Sequence, residues 1–209
     1  MTTKSNNQLS PVIIFDFGGV LMDWSPHYLF DAMMGNDPRA VDAFLEEIDF
    51  KNWNPEQDRG RSFAEGTELL ITQYPQYTDL IRAYDERYLE TVRGCIQPTV
   101  DILQRLKEKG YPLYGLSNWS AEKFAIVRVD YPFFDWFDDI VLSGEVGMIK
   151  PNTDIFEVLL KRVGRPAGGC LFIDDHDPNI QAAKSLGFQT IKYESPEQLT
   201  ASLTSRQIF

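Results

Sequence analysis

Short apolar runs, each ended by glycine or by a polar residue, recur along the chain and predict buried β-strands. The first run spans residues 12–15, where three β-branched residues and a phenylalanine precede Asp16 and then Gly18 and Gly19. A continuous apolar run of this length suits a strand that is buried on both faces of a parallel sheet. Similar runs predict further strands at 113–116, 140–142, 170–173 and 190–193.

Between residues 26 and 93 the apolar positions follow helical spacing instead. A helix start is predicted at 23–26, because Pro26 suits the first helical position. Breaks between helices are predicted at 52–55 and 58–60, which contain Asn-Pro and Arg-Gly. Apolar stripes occupy 28–33, 41–48, 63–70 and 80–92. No strand is predicted in this segment.

From Pro98 onward, predicted helices alternate with the predicted strands. The helices lie at 100–109, 121–129, 155–163 and 180–186, and the aromatic residues of 131–137 are expected to form a packed turn. This alternation predicts an α/β fold, a doubly wound and mainly parallel sheet with an all-helical segment inserted after its first strand. We expect a core domain of residues 1–22 and 98–209, and a helical insert of residues 23–97.

The composition limits the possible partners. The 209 residues include 31 acidic and 20 basic side chains, a formal charge of −11 that repels nucleic acid and anionic membranes. No apolar run approaches the roughly 20 residues that cross a bilayer, and residues 1–10 predict a loose polar tail without the apolar segment of a secretion signal. Because two cysteines cannot form a disulfide framework, we expect a reducing compartment and therefore a cytoplasmic protein. The expected partner is a small-molecule phosphate ester, and the protein is expected to be a monomer or a homodimer.

Polar residues stand where several predicted strands end. Asp16 follows the first strand, 117–118 (Ser-Asn) the second and 174–175 (Asp-Asp) the fourth, while Lys150 precedes a helix. Because the carboxyl ends of parallel strands share one edge of a sheet, these side chains are expected to converge there. Each cluster alone also fits a purely structural role, such as a helix cap or an acidic loop. The hypothesis of a site depends on all four together.

The converging set suits phosphoryl transfer. A carboxylate such as Asp16 can attack phosphorus and divide one difficult displacement into two easier ones. Mg²⁺ prefers hard oxygen ligands, and Asp16, the Gly18 carbonyl, Asp174 and Asp175 could supply them. The Lys150 ammonium would neutralise nucleophile and phosphoryl oxygens. Ser117 and backbone N–H groups at the following helix would donate hydrogen bonds to the same oxygens.

Four segments together resemble the haloacid dehalogenase-like hydrolase superfamily across nearly the whole chain. They are residues 15–20, 116–118, 147–151 and 172–180. Within it, the sequence looks most like sugar-phosphate phosphatases related to α-glucose-1-phosphatase and to the amino-terminal phosphatase domain of soluble epoxide hydrolase. The resemblance implies a Rossmann-like core, a helical cap, Mg²⁺ and an aspartyl-phosphate intermediate. It makes Asp175 the more direct metal ligand with Asn179 in support, and adds Asn118 and Gly19 to the phosphate-binding residues.

The chain departs from this family at Gly18. Most phosphatases of the superfamily carry a second Asp there as general acid and base, an effect worth roughly 10²–10⁴ in rate. The departure favours a leaving group that needs little protonation, such as the sugar of an anomeric hexose phosphate. It also leaves open a weakly active or non-catalytic regulatory protein. A metal-independent 2-haloacid dehalogenase is the other alternative, although the adjacent carboxylates of Asp174 and Asp175 favour the metal-dependent phosphatase.

Substrate choice is expected to lie in the helical insert. His27, Trp53 and Arg59 stand at its predicted breaks, where a side chain could reach over the site. Histidine ordinarily titrates near neutral pH, so His27 is the candidate replacement for the missing acid. The sequence therefore predicts a Mg²⁺-dependent phosphatase of small sugar phosphates, with His27 and Arg59 contacting the substrate.

Overall fold

A computed structural model describes residues 10–209, so the predicted tail lies outside the described residues except for Ser10. Its strands are β1 (Val12–Phe15), β2 (Met22–Trp24), β3 (Val92–Cys95), β4 (Leu113–Ser117), β5 (Asp139–Leu142), β6 (Cys170–Asp174) and β7 (Gln189–Lys192). Five of them form a parallel sheet in the order β5-β4-β1-β6-β7. This sheet confirms every strand that the apolar runs predicted, and β1 lies at its centre.

The helices fall into two groups. The first group lies between β2 and β3: α1 (His27–Met33), α2 (Pro38–Glu47), α3 (Phe50–Asp58), α4 (Phe63–Gln73) and α5 (Thr78–Glu86). The second accompanies the sheet: α6 (Gln97–Glu108), α7 (Ala121–Val127), α8 (Ser143–Val146), α9 (Thr153–Val163), α10 (Asp177–Ser185) and α11 (Pro196–Ser205). This order confirms the predicted α/β class. The sequence prediction omitted α11, whose start is capped by Ser195 accepting from the Gln198 N–H.

The predicted insert is not wholly helical. Residues 22–24 pair with 92–95 as an antiparallel ribbon, although a helix start and a helical stripe were predicted there. The helix α5 stops at Glu86, before the end of the predicted stripe, and Gly94 in the ribbon has a φ of +148°, which a helix does not allow. The ribbon joins the two points at which the chain leaves and re-enters the sheet region. The domain boundaries at 22/23 and 97/98 remain a prediction.

The break predicted at 52–55 was also wrong, because these residues lie inside α3. Pro55 removes one helical N–H donor, but Lys51, whose carbonyl would accept from it, is exposed and can be solvated. Trp53 packs against Phe63 and Tyr84 and donates its indole N–H to the Gly66 carbonyl at 3.0 Å. Tertiary packing therefore maintains a helix that local preference opposes. The second predicted break is correct, since α3 ends at Asp58.

Apolar residues cover both faces of the sheet. One face joins the aromatic interior of the helical insert through Phe17, Phe124 and Phe134, while the other packs Phe156 against Phe172. The sheet is therefore a fixed base from which the residues at its carboxyl edge project. Within residues 10–209, no helix has the length and apolar character required for a membrane span.

Candidate active site

Asp16 lies directly after the central strand and is held by the backbone on both sides. Its N–H donates to the Ile173 carbonyl at 2.9 Å, and its Oδ1 accepts from the Phe17 N–H at 2.7 Å. The Leu21 and Met22 N–H groups both donate to the Phe17 carbonyl, which closes a tight turn after the strand. Asp16 is buried but faces the cavity at the carboxyl edge.

Lys150 connects two of the carboxylates. Its Nζ lies 2.9 Å from Asp16 Oδ1 and 2.7 Å from Asp174 Oδ2, and it donates to the Leu116 carbonyl at 2.9 Å. The Asn118 amide donates to the Lys150 carbonyl and accepts from the Lys150 N–H, at 2.9 and 2.8 Å. Asn118, predicted to bind phosphate, thus positions the lysine that reaches both carboxylates.

Asp174 is fully buried and accepts several hydrogen bonds. Besides Lys150, its donors are the His176 N–H at 2.8 Å and the Asn179 Nδ2, which lies 3.0 Å from both carboxylate oxygens. Burial opposes its charged form, but Lys150 and the other donors outweigh burial and lower the pKa of Asp174. Asp174 is therefore a fixed negative charge at the base of the site.

Asp16, Asp174 and Asp175 form a cluster in which one carboxylate oxygen from each residue lies within 4.8 Å of the other two. Burial raises the pKa of Asp16 to about 7, against the opposing charge of Lys150. Burial and the charge of Asp174 likewise raise the pKa of Asp175. One ammonium thus faces three carboxylates. This donor set fits a hard divalent cation such as Mg²⁺, which would compensate the excess negative charge.

The two glycines after Asp16 have different surroundings. Gly19 has a φ of +72°, and a Cβ atom there would lie 2.4 Å from Asp175 Oδ2. Only glycine therefore allows both this turn and the close approach of Asp175. At Gly18 a Cβ atom would meet no heavy atom of residues 10–209 within 4 Å. The phosphate-binding role predicted for Gly19 remains a prediction, and the structure adds a steric requirement to it.

Two adjoining cavities meet at Gly18, Trp24, Ser117 and Asn118. The cavity over the sheet edge has a volume of about 390 Å³ and also contacts Asp16, Gly19, Lys150, Asp175, His176 and Asn179. The second, of about 80 Å³, extends toward the helical insert and also contacts Asn54, Asp58, Tyr88 and Trp119. Predicted residues from three strands and from the loop before α9 thus meet at one opening. Asn54 and Asp58 were not predicted.

The predicted contacts from the helical insert lie elsewhere. His27 is paired with Asp31 at 3.3 Å and with Asp42 at 3.2 Å, while Arg59 lies 3.7 Å from Glu56. Neither His27 nor Arg59 lines either cavity. The break predicted at Arg59-Gly60 identified the correct loop. The residue that lines the opening, however, is Asp58, which precedes Arg59 at the carboxyl end of α3. A carboxylate at that point was the signal that could have identified it.

The sequence model of the haloacid dehalogenase-like hydrolase family matches residues 11–187 of this chain. The chain belongs to this family. Membership confirms the family and the hydrolase class expected from the sequence motifs. The matched range begins just before β1 and ends after α10, so it includes all the residues of the carboxylate cluster.

Family relatives with assigned activities match most of the chain. The sesquiterpene phosphatase astK of Aspergillus oryzae is 29% identical over 180 residues, 83% of this chain and 85% of that protein. A D-ribitol-5-phosphate phosphatase of Bacteroides thetaiotaomicron is 26% identical over 210 residues, 92% of this chain and 96% of its own. A haloacid dehalogenase family enzyme from the same bacterium, solved with magnesium and inorganic phosphate, has a TM-score of 0.67 at 23% identity. That comparison covers 89% of this chain and 95% of that one.

Proposed function

We propose that this protein is a Mg²⁺-dependent phosphatase that hydrolyses small phosphate monoesters through an aspartyl-phosphate intermediate. The observation that carries the proposal is the meeting of Asp16, Asp174 and Asp175 around Lys150 at one edge of the sheet. The names of the two phosphatase relatives support the same reaction class. The enzyme that was solved with magnesium and inorganic phosphate has the same fold as this chain.

Asp16 is the nucleophile in this proposal. One of its oxygens forms a bond to phosphorus while the bond from phosphorus to the leaving oxygen breaks. A water oxygen then bonds to phosphorus, the bond to Asp16 breaks and inorganic phosphate leaves. Lys150 holds Asp16 in place and offsets the charge of the phosphoryl oxygens, and the Ser117 hydroxyl donates to them.

Residues for the metal are Asp16, Asp175 and the Gly18 carbonyl, with Asp174 at the base of the site. Asp175 is exposed to the cavity, whereas Asp174 already accepts from Lys150, His176 and Asn179. A bound Mg²⁺ would lower the repulsion between the anionic nucleophile and a phosphate dianion. Asn179 keeps Asp174 oriented and leaves its own Oδ1 without a hydrogen-bond partner among residues 10–209.

The proposed substrate is a small sugar or polyol phosphate, such as an anomeric hexose phosphate. The smaller cavity supports this choice, because it combines the aromatic walls of Trp24, Tyr88 and Trp119 with the polar side chains of Asn54 and Asp58. Aromatic faces suit the C–H groups of a sugar, and the polar groups suit its hydroxyls. The D-ribitol-5-phosphate phosphatase is a relative whose named substrate has this chemistry.

The test is a panel of phosphate esters with and without Mg²⁺, comparing the wild type with Asp16→Asn. The panel contains hexose 1-phosphates, hexose 6-phosphates, polyol phosphates, a prenyl phosphate and, as the competing chemistry, a 2-haloacid. We expect hydrolysis of sugar or polyol phosphates that disappears with chelation and in the variant. Activity that survives either change contradicts the mechanism, and preference for the prenyl ester contradicts the substrate class. Metal-independent halide release would identify a dehalogenase, and inactivity toward every compound would favour the non-catalytic alternative.

A further inference from the structure

Hydrolysis of an alkyl phosphate needs a proton for the leaving oxygen, and Gly18 cannot supply one. On the sheet side, Asp16 is occupied as the nucleophile. Burial disfavours the charge of Lys150, but Asp16 and Asp174 outweigh it and raise the pKa of the lysine, so it keeps its protons. A proton donor for the leaving oxygen must therefore come from another side of the opening.

Asp58 lies on that other side. It is the last residue of α3, and it lines the smaller cavity together with Gly18, Ser117 and Asn118. Among residues 10–209 it forms no ion pair, although the rest of the opening is strongly charged. The larger cavity, which contains Asp16, shares Gly18, Ser117 and Asn118 with this smaller one, so the leaving group of a phosphate held over Asp16 has a path toward Asp58.

A short chain of hydrogen bonds orients Asp58. The buried Tyr84 hydroxyl donates to Asn54 Oδ1 at 2.9 Å, and Asn54 Nδ2 donates to Asp58 Oδ2 at 3.2 Å. Asn54 and Asp58 are one helical turn apart on α3, so the same helix carries both groups to the cavity wall. These hydrogen bonds orient the Asp58 carboxyl group through neutral partners, so they do not compensate its charge.

We propose that Asp58 is the general acid and base of the reaction, donating a proton to the leaving oxygen and later accepting one from the attacking water. This assignment rests on the proposed phosphatase function, and it replaces His27, which the sequence suggested. The proton comes from the helical insert, whereas the nucleophile and the metal ligands come from the sheet.

The surroundings of Asp58 suit a group that exchanges a proton near neutral pH. Burial raises its pKa to about 7, and the Ser120 backbone N–H offsets only part of this effect. Tyr84 and Tyr88, the titratable neighbours from the helical insert, stay neutral because burial raises the pKa of each. Nearby charged side chains have other partners: Lys123 of α7 pairs with Asp85.

Two further cations belong to neighbouring segments, one at the end of α3 and one in the larger cavity at the sheet edge. Arg59, next to Asp58 in sequence, pairs with Glu56, and Lys150 pairs with Asp16 and Asp174. None of these cations is therefore free to hold Asp58 permanently ionised.

The proposed proton transfers balance. In the first step the Asp58 hydroxyl gives its proton to the leaving oxygen as the phosphorus–oxygen bond breaks and the bond to Asp16 forms. The alcohol leaves, and Asp58 becomes a carboxylate. In the second step this carboxylate takes a proton from water as the water oxygen attacks phosphorus and the bond to Asp16 breaks. Phosphate leaves, and both residues return to their starting states.

His176 is the competing donor, because it also lines the opening. It is exposed, it follows Asp175 directly, and its backbone N–H donates to Asp174. This position is on the metal side of the larger cavity, and His176 does not line the smaller one. His176→Gln is therefore the appropriate comparison variant in the test.

The experiment compares Asp58→Asn with Glu68→Gln, a control that removes an exposed carboxylate of α4 outside both cavities. Leaving-group release is measured in a single turnover with Mg²⁺ for an alkyl phosphate and for p-nitrophenyl phosphate, whose leaving group needs no proton. For Asp58→Asn we expect a loss of about 100-fold or more with the alkyl ester and less than about tenfold with the aryl ester. Its kcat/KM profile for the alkyl ester should also lose the decline above neutral pH. Asp58→Glu should recover part of the lost rate.

A second variant adds a carboxylate at Gly18, which also lines the smaller cavity. Since a Cβ atom at Gly18 would lie more than 4 Å from every heavy atom in the described part of the chain, Gly18→Asp can be accommodated. Combined with Asp58→Asn, it should restore at least about tenfold of the lost rate with the alkyl ester. Such recovery supports a missing proton donor over a displaced helix.

Three results would overturn the role of Asp58 alone. They are an unchanged rate in Asp58→Asn, an equal loss with both esters, and a leaving-group-dependent loss in His176→Gln but not in Asp58→Asn. A wild type without Mg²⁺-dependent hydrolysis of either ester would overturn the proposed function, and the role of Asp58 with it. The two failures are therefore distinguishable.

Discussion

Carboxylates have contrasting surroundings in two regions of the site. The first is the sheet edge, where Asp16 and Asp174 lie, and the second is the wall of the smaller cavity that α3 forms with Asn54 and Asp58. At the sheet edge, Asp174 accepts from one ammonium, one backbone N–H and one amide, and Asp16 shares the same lysine. At the wall, Asp58 accepts a hydrogen bond from only one side chain, Asn54, and has no ion pair within the described part of the chain. Lys150 and the other donors keep Asp174 charged, whereas burial raises the pKa of Asp58. Asp16 combines both influences, because Lys150 is 2.9 Å away and burial still raises its pKa to about 7.

This contrast indicates that the sheet edge and the wall have different roles in the reaction. Lys150 and backbone donors make the sheet edge a rigid anionic site, suited to a metal and to a step common to many phosphate esters. The wall is formed by a different segment of the chain and lines only the smaller cavity, so changes there should affect the leaving group. We therefore expect substitutions at the sheet edge to impair every substrate and substitutions at the wall to discriminate among substrates.

The largest expected effect is that of Asp16→Asn. The variant should lose roughly 10³-fold or more in kcat for every phosphate ester, because the nucleophile itself is removed. The measurement is steady-state hydrolysis with saturating Mg²⁺, with circular dichroism to verify folding. A loss that depends on the leaving group would contradict the division between edge and wall.

Lys150→Met should have the next largest effect. It leaves Asp16 and Asp174 buried without their cation, and removing one partner of a buried ion pair typically costs about 3–5 kcal/mol. The measurement is urea unfolding in the presence of chelator. Lys107→Met removes an exposed lysine that lies 3.8 Å from Asp138, and it should cost about 1 kcal/mol or less. Equal costs for the two variants would mean that the buried network does not stabilise the edge.

Gly19→Ala should weaken Mg²⁺ binding by roughly 10–100-fold, as changes next to metal ligands commonly do. The added Cβ atom would displace the Asp175 carboxylate, since it would lie 2.4 Å from Oδ2. Gly35→Ala is the matched control, with the same φ of +72° and, among the residues that the structure describes, no heavy atom within 4 Å of its Cβ. Calorimetric titration with Mg²⁺ measures the difference. Equal affinities would show that the approach of Asp175 does not matter for the metal.

Sequence patterns predicted the sheet and its edge better than they predicted the wall. The apolar runs identified all five strands of the sheet, because a strand buried on both faces allows few polar residues. Asp16, Ser117 and Asp174 could be predicted as neighbours because each ends a parallel strand. The position of these residues follows from fold class alone.

The wall could not be derived in this way. Whether His27, Arg59 or Asp58 faces the opening depends on how five helices pack, and no short-range pattern encodes that packing. Pro55 misled because tertiary contacts of Trp53 and Tyr84 stabilise α3 through a residue that ordinarily ends a helix. The ribbon of β2 and β3 was missed for a similar reason, since its strands are short and pair across 68 residues, from Trp24 to Val92.

The pH dependence of stability should separate the two regions. The folded-state pKa values of Asp16 and Asp58 are both raised to about 7 from 3.8, so the folded protein binds these protons more tightly than the unfolded chain. Stability without metal should therefore rise as the pH falls through about 7 toward 4, whereas the lowered pKa of Asp174 costs stability only below that window.

Thermal unfolding in chelator at about pH 8 and about pH 5.5 measures this effect. We expect a melting temperature roughly 3 °C or more higher at the lower pH, and a smaller difference in both Asp16→Asn and Asp58→Asn. Mg²⁺ added at the higher pH should remove the part of this melting-temperature difference that is due to Asp16, but not the part that is due to Asp58. A metal effect that is lost in Asp58→Asn would show that the edge and the wall are one electrostatic unit.

The smallest expected effects are those of His27→Ala and Arg59→Ala. His27 lies between Asp31 and Asp42, and Arg59 lies next to Glu56, so both side chains have surface partners outside the two cavities. Exposed ion pairs contribute about 0–1 kcal/mol, and kcat/KM for the best substrate should stay within about twofold of the wild type. A loss above about tenfold in either variant would mean that the helical insert moves on substrate binding and brings that residue over the phosphate. Substrate choice would then depend on the residues that the sequence suggested, and the wall formed by α3 would be one part of a larger closing surface.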